Sequence, residues 1–322
     1  MDKDKYEIYT MSRDDGYINI DEISTFATIL KYNSKIKFLK SWNYIKALYL
    51  CDILYLPRKD GLSLIIFLNK FFKKKIFITV EGLFDDYILK KLGQKLTKKV
   101  KTINNIEYVY SITHFMKKYN EEAVGIRSLD NVLYLGIDTS IFTAKSVVHK
   151  KLKNIIFIGN DMQRKGIYEY LSLAKIYTDL TFHIVGSTHT IDVEQINNNY
   201  KNVTIHGMKN PQELNNILQK IDLHILPSKS EGFPKVIFET ASIGIPSIVY
   251  DAYGAHELLN HQKNGFVVND FDELSATVNN LNLNNNLLYQ SSLNAILLAK
   301  EFSWQKIVKK WELEIDNMAL KH

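Results

Sequence analysis

The segment LPSKSEGFPKVIFETASIGIPSIV, residues 226–249, joins the end of one strand, a loop and the beginning of a helix. The apolar run Ile221–Leu226 suits a buried strand of a parallel sheet. Pro234 stands where the first residue of a helix is favoured, and apolar residues then recur at helical spacing until Gly244 ends the helix. Ser247–Tyr250 predicts the next strand. The segment therefore predicts a strand, helix and strand unit of an α/β protein.

The junction between this strand and this helix has the composition of a ligand site. Strand carboxyl ends and helix amino ends meet where ligands bind in open parallel sheets, because free N–H groups and the helix dipole favour an anion. Glu231 precedes the helix and Glu239 lies inside it. Such carboxylates suit sugar hydroxyls, because one carboxylate can accept two of them. Alternatively, Glu231 caps the helix and Glu239 lies on its solvated face.

A motif favours the first interpretation. The pattern S-x-x-E-G-F-P-x-x-x-x-E, followed by A-x-x-G-x-P and by Gly254 and Glu257 in YGAHELL, resembles the donor-site signature of the family 4 glycosyltransferases. These are retaining enzymes of the GT-B fold that transfer a sugar from a nucleotide sugar. The resemblance implies that Glu231 contacts the transferred sugar and that Glu239 holds the ribose hydroxyls. It implies that the sugar and phosphate site is lined by the backbone of Gly232, Phe233 and Pro234.

A second part of the predicted donor site follows the predicted strand Asn154–Gly159. In the family, an Arg after this glycine and a Lys later in the loop bind the donor's diphosphate. Here Asn160 occupies the Arg position, Lys165 matches the Lys, and Arg164 lies beside it. Losing one group that neutralises the leaving diphosphate costs about 3 kcal/mol. We expect Arg164 to compensate; otherwise the enzyme is slow or the site does not catalyse.

The resemblance also assigns residues near the acceptor and the base. Relatives often carry a glycine-rich loop after the first strand, represented here only by Gly16, and a His where this chain has Glu81. Glu81 is either an acid or hydroxyl-binding group of the cleft or a strand-end carboxylate. Met208 and Lys209 match the positions whose backbone holds the nucleobase. Neither the nine histidines nor an Asp-x-Asp pair forms a metal-binding pattern, so we expect no metal and no other cofactor.

The resemblance predicts the architecture of the whole chain. GT-B proteins consist of two Rossmann-like doubly wound domains that face each other across a cleft. We place an acceptor-binding domain at residues 1–145 and a nucleotide-sugar-binding domain at 146–302. Residues 303–322 form a helix that crosses back to the first domain, or, as the alternative, pairs in a coiled coil. The segment YLGIDTSIFTAK resembles the family's N-G-V-D-x-x-x-F element and marks the join.

Alternating strands and helices in the amino-terminal part agree with a doubly wound sheet. The predicted strands are Tyr6–Met11, Lys35–Leu39, Ile53–Leu56, Ile76–Val80, Tyr108–Ile112 and Val132–Leu135. The predicted helices are Ile20–Tyr32, a helix capped by Ser41, 61–72, Ile88–Lys101 and one that begins near His114. The Asn-rich segment Asn279–Asn286 is predicted to be a loop.

Positive charge is concentrated in the first half of the chain. Residues 1–148 carry 24 Lys and Arg against 17 Asp and Glu, and residues 31–101 hold 17 basic against 5 acidic side chains. The predicted helix Ile88–Lys101 places Lys91, Lys95 and Lys98 beside an apolar stripe, a pattern typical of helices that lie on anionic lipid. Alternatively, the stripe packs on its own sheet and the lysines are solvated.

The composition excludes several classes of protein. The one cysteine, Cys51, allows no intrachain disulfide, the charged start lacks the apolar run of a signal peptide, and no apolar run approaches the ~20 residues that span a bilayer. We therefore expect a cytoplasmic protein, with peripheral attachment to the cytoplasmic face of the membrane. No groove-reading or aromatic single-strand motif accompanies the positive charge, so no nucleic-acid partner is expected.

These observations predict a retaining, metal-independent, hexosyltransferase-like enzyme. It would move a sugar from a UDP- or GDP-sugar to a glycan, a lipid-linked acceptor or another membrane-associated acceptor in cell-surface polysaccharide or glycolipid synthesis. The departures from the family at Asn160 and Glu81 keep an alternative open, a non-catalytic nucleotide-sugar-binding subunit of another glycosyltransferase.

Overall fold

The computed structural model describes residues 1–13, 27–32, 37–57, 62–145 and 151–320, so Gly16 lies outside the described residues. The described strands are β1 (Tyr9–Arg13), β2 (Thr28–Tyr32), β3 (Ile53–Tyr55), β4 (Lys75–Val80), β5 (Tyr108–Ser111), β6 (Asn154–Ile158), β7 (Thr181–Val185), β8 (Val203–Gly207), β9 (Leu223–Leu226), β10 (Ser247–Tyr250) and β11 (Phe266–Val268). The described helices are α1 (Lys37–Leu50), α2 (Leu62–Phe72), α3 (Asp86–Leu92), α4 (Lys95–Asn104), α5 (His114–Val124), α6 (Ile167–Ile176), α7 (Val193–Asn199), α8 (Pro211–Leu218), α9 (Lys235–Ile243), α10 (Ala255–Leu258), α11 (Phe271–Leu283), α12 (Asn285–Glu301) and α13 (Trp304–Leu320).

The carboxyl-terminal sheet has six parallel strands in the order β11-β10-β9-β6-β7-β8. Within this sheet, the chain first forms the central strand β6 and then β7 and β8 on one side of it. It then returns to form β9 on the other side of β6. All four residues of β9 are buried, because helices cover both faces of such a sheet. The strand order therefore reverses between β6 and β9, the place where open parallel sheets bind ligands.

The amino-terminal part contains two smaller parallel sheets, β1-β2 and β3-β4-β5. Ile78 and Val80 of β4 and Val109 of β5 belong to a hydrophobic cluster of buried residues that also includes Ile237 and Phe238 of α9. One apolar cluster therefore spans the first and the second half of the chain.

Helix α13 returns to the amino-terminal sheet. The Trp311 indole N–H donates to the Tyr134 carbonyl at 2.9 Å, and its ring lies edge-on to Tyr55 at 5.2 Å. The Tyr110 hydroxyl donates to Glu314 at 2.9 Å. The predicted crossing of the last helix is confirmed, and the coiled-coil alternative is wrong for this helix. The exact domain boundaries stay a prediction.

Two predicted elements near the amino terminus are wrong. Residues 37–39 of the predicted strand Lys35–Leu39 belong to the beginning of α1, which contains Ser41 inside its run rather than as a cap, and residues 35–36 lie outside the described residues. Buried Leu48 and half-buried Tyr44 continue the helical spacing that the short run alone did not reveal. In the predicted helix Ile20–Tyr32, residues 20–26 lie outside the described residues, and Thr28–Tyr32 is a strand that pairs in parallel with β1.

Three further boundaries differ from the prediction. Val132–Leu135 is extended without being a strand, since Leu133 N–H donates to Ser111 while the Tyr134 carbonyl accepts from α13. Gly93, in the left-handed region at φ 47°, divides the predicted helix Ile88–Lys101 into α3 and α4. The Asn-rich segment is mostly helical: only Asn284 separates α11 from α12, and its side chain accepts a hydrogen bond from the Leu287 N–H.

Candidate functional site

The loop after β6 brings Lys165 back over the end of its own strand. A Cβ added to Gly159 would lie 2.3 Å from the Lys165 Cδ, so this glycine leaves room for the lysine stem. A Cβ on Gly166, which has φ +86°, would lie 2.3 Å from the Pro227 carbonyl oxygen at the end of β9. The two glycines thus allow the β6 and β9 loops to approach each other at the reversal point of the sheet.

Lys165 and Glu231 form an ion pair at this junction. The ammonium nitrogen Nζ lies 2.6 Å from the Glu231 Oε1, and the two side chains are 16% and 8% exposed. A charge-assisted bond at this distance, shielded from water, is stronger than a surface ion pair. The structure thus brings together two residues that the sequence places 66 positions apart.

A buried histidine lies beneath this pair. His224 of β9 is fully buried, and its Nδ1 lies 2.9 Å from the Ser247 hydroxyl, whereas its Nε2 has no partner. Burial, followed by the charge of Lys165, lowers the pKa of His224 to about 3. The imidazole is therefore neutral at physiological pH and adds no positive charge to the site.

Arg164 is turned toward the same loop as Glu231. Its Nε lies 3.2 Å from Asp161 Oδ2, and its terminal nitrogen donates to the carbonyl of Ser230, the residue before Glu231. Its side chain is partly exposed. Arg164 thus lies beside the loop that carries Glu231, and its compensation for the Arg that the family carries at position 160 stays a prediction.

The other predicted donor-loop residues lie at neighbouring strand ends. Asn160 is exposed, and its Oδ1 accepts a hydrogen bond of 3.2 Å from the Ser187 N–H after β7. Met208 and Lys209 follow β8 and are exposed. In the described residues, no hydrogen bond connects these three side chains to the Lys165–Glu231 pair.

Glu239 is a half-buried carboxylate on α9 without a hydrogen-bond partner among the described residues. Burial raises its pKa, and the charge of Lys235 lowers it by a smaller amount. Since its folded pKa exceeds its unfolded pKa, the ionised carboxylate at neutral pH lowers folding stability. This contradicts the alternative that Glu239 lies on a solvated face, and it leaves acceptor capacity for a ligand.

The loop that carries Glu231 also contacts the first half of the chain. The Ser230 hydroxyl donates to Asp85 at 2.5 Å, and a Cβ on Gly232 would lie 2.3 Å from the Glu81 carbonyl oxygen. Asp85 additionally caps α3 through the Ile88 N–H. A side chain at position 232 would therefore push the two halves apart.

Glu81 lies at this contact, at the end of β4. Its Oε1 accepts from the Thr79 hydroxyl at 2.8 Å and from the Tyr55 hydroxyl at 3.3 Å, and its side chain is exposed. The strand-end position is thus observed, while a role toward the acceptor stays a prediction.

Phe233 and Pro234 serve packing as well as the loop backbone. The Phe233 ring stacks on Phe238 at 5.0 Å and approaches Phe302 at 6.0 Å. Pro234 is buried and precedes α9, whose amino end receives no side-chain cap. The Lys235 N–H donates to the Phe233 carbonyl at 2.9 Å and the Ile237 N–H to the Pro234 carbonyl at 3.0 Å, so this helix end offers few free amide groups to an anion.

Sequence reasoning missed the position of Tyr253. This residue is 3% exposed, its hydroxyl has no partner, and its φ of 43° lies in the left-handed region that favours glycine. Burial, followed by the charge of Glu231, raises the pKa of Tyr253. An unpaired buried hydroxyl beside the Glu231 charge is rare in folded proteins.

It also missed what Glu257 does, although the motif contains this residue. Its carboxylate accepts from the N–H groups of His114 and Phe115 at 2.7 and 2.8 Å and from the Tyr134 hydroxyl at 2.6 Å. A carboxylate from the second half of the chain thus caps helix α5 of the first half. No sequence signal indicates this pairing, because its partners are backbone groups of a distant segment.

Metal-binding side-chain groups and membrane-spanning helices are both absent from the described residues. No group of three or more His, Cys, Asp or Glu side chains in these residues is arranged to hold a metal ion. Among the same residues, no helix is sufficiently long and apolar to cross a membrane.

The lysines predicted to face a membrane, Lys91, Lys95 and Lys98, are exposed. The apolar residues beside them are half-buried and pack against the core of the first half. These residues are Leu89, Leu92, Leu96 and Val100.

Comparisons with known proteins agree with this architecture. Residues 138–296 match the family described as glycosyl transferases group 1. An uncharacterized glycosyltransferase of Haemophilus influenzae is 23% identical over 245 residues, 71% of this chain and 68% of that protein. Sucrose-phosphate synthase from Thermosynechococcus elongatus has a similar fold, with a TM-score of 0.79, 16% identity, and coverage of 98% of this chain and 90% of that chain.

A further similar structure is the Anabaena protein HepE, solved in complex with UDP and glucose. It has a TM-score of 0.75 and 17% identity, with coverage of 90% of this chain and 86% of that chain. Residues 138–296 belong to the glycosyl transferases group 1 family, and the fold of the chain is GT-B, as the sequence predicted.

Proposed function

We propose that this protein is a glycosyltransferase that uses a nucleotide-sugar donor bound between the β6 and β9 loops. The observation that carries the proposal is the shielded Lys165–Glu231 pair, 2.6 Å apart at the reversal point of a six-stranded parallel sheet. Such a pair offers a cation for a diphosphate and a carboxylate for sugar hydroxyls. The family match and the UDP and glucose in HepE support the same assignment.

The proposed chemistry separates these two charges. A bound diphosphate attracts the Lys165 ammonium away from Glu231, with Arg164 as a further positive group. The Glu231 carboxylate then accepts hydroxyl groups of the transferred sugar. The bond between the anomeric carbon and the diphosphate oxygen breaks with its electron pair on the diphosphate. The acceptor oxygen bonds to that carbon and gives its proton to the departing diphosphate oxygen.

The finer parts of the proposal rest on the resemblance to the family. Retention of configuration and transfer of a hexose are inferred from the resemblance around Glu231, and independence of metal from the lack of a metal-binding pattern in the sequence. Glu239 would hold the ribose, and Met208 and Lys209 the base. Glu81 stands on the acceptor side. The acceptor would be a glycan or a lipid-linked molecule at the cytoplasmic face of the membrane, in the synthesis of a cell-surface polysaccharide or glycolipid.

A second candidate is a non-catalytic subunit that binds the nucleotide sugar. It is favoured by Asn160, which contributes no charge and instead bonds to the loop after β7. This candidate predicts donor binding without hydrolysis or transfer, so an assay of donor turnover separates the two.

Donor binding is the first test of the proposed function. We expect one nucleotide among UDP, GDP, ADP and CMP to raise the melting temperature by several degrees, because ligand at a hundred times its Kd stabilises by about 2.7 kcal/mol. Lys165→Ala and Glu239→Gln should each lose most of this shift in thermal-shift and calorimetric titrations. Exposed Lys175 lies on α6 outside the loop, so Lys175→Ala is the matched control. If all variants bind the nucleotide equally well, the proposed donor site is wrong.

Tyr253→Phe gives a test with opposite signs for stability and function. Removing a buried hydroxyl without a partner relieves a cost of about 1–3 kcal/mol, so the melting temperature of the free protein should hold or rise. If the hydroxyl binds the donor, donor affinity or turnover should fall in the same variant. Tyr250→Phe, at a buried tyrosine of β10, is the control. Unchanged affinity and turnover would show that the Tyr253 hydroxyl has no part in the reaction.

A further inference from the structure

Helix α2 exposes an apolar face. Leu64, Phe67 and Phe71 are 40%, 56% and 75% exposed, and their spacing of three and four residues places them on one side of the helix. Leu62 and Ile65 face the core. A surface helix of a globular protein normally carries polar residues on its solvent side, so this face is unusual.

The exposed aromatic rings form a continuous surface rather than isolated side chains. The centroids of Phe67 and Phe71 lie 6.3 Å apart in an edge-to-face arrangement. At the carboxyl end of α1, which packs against α2, Tyr49 and Leu50 are also exposed, at 75% and 44%. Contiguous exposed apolar surface of this kind marks sites of interaction.

Lysines surround the carboxyl end of α2. Lys70 and Lys73 are exposed, and no salt bridge to either is found in the described part of the chain. Lys74 lies 3.6 Å from Asp52, and Lys75 donates to the Met318 carbonyl. Lys73, Lys74 and Lys75, with Glu107 as the acidic member, line a cavity of about 350 Å³ at this end of the helix. The four lysines at this end of α2 outnumber the two carboxylates beside them, Asp52 and Glu107.

We propose that this surface, which we call the α2 face (Leu64, Phe67, Phe71, Lys70, Lys73 and Lys74), docks on an anionic lipid bilayer. Exposed aromatic and aliphatic side chains enter the interface, while the lysines face lipid phosphates. The α2 face thus combines apolar groups, which suit the interior of the membrane interface, with cationic groups, which suit the lipid phosphates.

The sequence assigned the membrane-facing role to Lys91, Lys95 and Lys98, with the run KFFKKK at residues 70–75 as further support for membrane association. The lysines of α3 and α4 are exposed, but the apolar residues beside them pack against the protein core and are not available for insertion. In α2, by contrast, the apolar groups themselves face outward. The inference deepens the proposed function, because an acceptor held in a membrane would be reached from this surface. Only the biological role of lipid docking rests on the proposed function, because docking itself is measured without a nucleotide-sugar donor.

Vesicle sedimentation tests the inference. We expect the full chain to sediment with vesicles of phosphatidylcholine mixed with phosphatidylglycerol and to remain in solution with phosphatidylcholine alone. The double substitution Phe67→Ser and Phe71→Ser should weaken vesicle binding about tenfold or more, because burying even part of each ring in the lipid interface stabilises the bound state. Lys70→Gln with Lys73→Gln should weaken binding and flatten its salt dependence. Lys91→Gln, Lys95→Gln and Lys98→Gln together should bind as the parent does.

The outcomes are distinguishable. The altered side chains are exposed, so melting temperature and nucleotide binding should stay unchanged and report intact folding. Inorganic phosphate should displace the protein from vesicles no better than chloride at equal ionic strength; specific displacement would point to a phosphate site and overturn lipid docking. The inference also fails if anionic vesicles do not bind, or if the phenylalanine variant binds equally. It fails, too, if that variant only abolishes self-association in gel filtration. None of these results depends on sugar transfer, so the proposed function can fail separately.

Discussion

Replacing Lys165 by methionine should lower the turnover of sugar transfer by roughly 10²–10³-fold, the loss that follows when one group stabilising a developing negative charge is removed. Methionine keeps an unbranched apolar stem across Gly159 and removes the ammonium group with its charge. Initial rates with saturating donor, or donor hydrolysis if the acceptor is not known, measure the effect. Arg164→Gln, at the more exposed cation, should cause a smaller loss.

The same substitution leaves the Glu231 carboxylate buried without its partner, which can cost about 3–5 kcal/mol of folding stability. A loss of activity could then arise from unfolding. Combining Lys165→Met with Glu231→Gln removes both charges, so the melting temperature should recover while turnover stays low. If the double variant regains turnover along with stability, the pair has only a structural role.

Glu231→Ala alone should abolish transfer, and near-normal transfer would remove Glu231 from the mechanism.

Replacing Glu257 by alanine should lower the free energy of unfolding by roughly 2–4 kcal/mol, because it removes three hydrogen bonds to a carboxylate and the cap of a helix dipole. The lost partners are the His114 and Phe115 N–H groups and the Tyr134 hydroxyl. These belong to the first half of the chain and Glu257 to the second. The contact that is lost therefore joins the two halves, and denaturant unfolding followed by fluorescence measures it.

Tyr134→Phe is the matched control, since it removes one of the three bonds and should cost about 1 kcal/mol. A double-mutant cycle between the two positions should give a coupling energy well above zero, because they share a hydrogen bond. Additive effects would show that Glu257 does not couple the two halves through Tyr134. Two separated unfolding transitions in Glu257→Ala would be direct evidence of uncoupling.

The carboxyl-terminal sheet was predictable from sequence because its strands are buried on both faces. Ile221–Leu226 and Asn154–Gly159 are short segments rich in apolar residues, and the structure has β9 and β6 within them. Pro234 and Gly244 gave the ends of α9 within one residue, since a proline begins and a left-handed glycine ends it. Local signals and the final structure agree here.

The amino-terminal part was less predictable, because its strands depend on distant partners. Thr28–Tyr32 is a strand through pairing with β1, and residues 37–39 are helical through packing of residues further along α1. Neither partner is visible in the short run itself. The extended segment Val132–Leu135 lacks a ladder because one of its carbonyls accepts from the Trp311 indole.

The site was predictable only in part. The motif indicated Glu231 and Lys165 as members of one site, and the structure places them 2.6 Å apart. The inward turn of Arg164 and the unpaired hydroxyl of Tyr253 depend on loop conformation, which composition does not encode locally. The same holds for Glu257, whose partners are mostly backbone amides.

The return of α13 to the first sheet has a consequence for synthesis of the chain. Phe77 and Tyr110 form a buried cluster with Trp311, Ile307 and Met318. While the ribosome is still producing the second half, this face of the first sheet has no cover, and apolar surface exposed in this way favours aggregation. The amino-terminal part thus emerges first and completes its core last, so stalled or shortened chains would leave the earlier half unfinished.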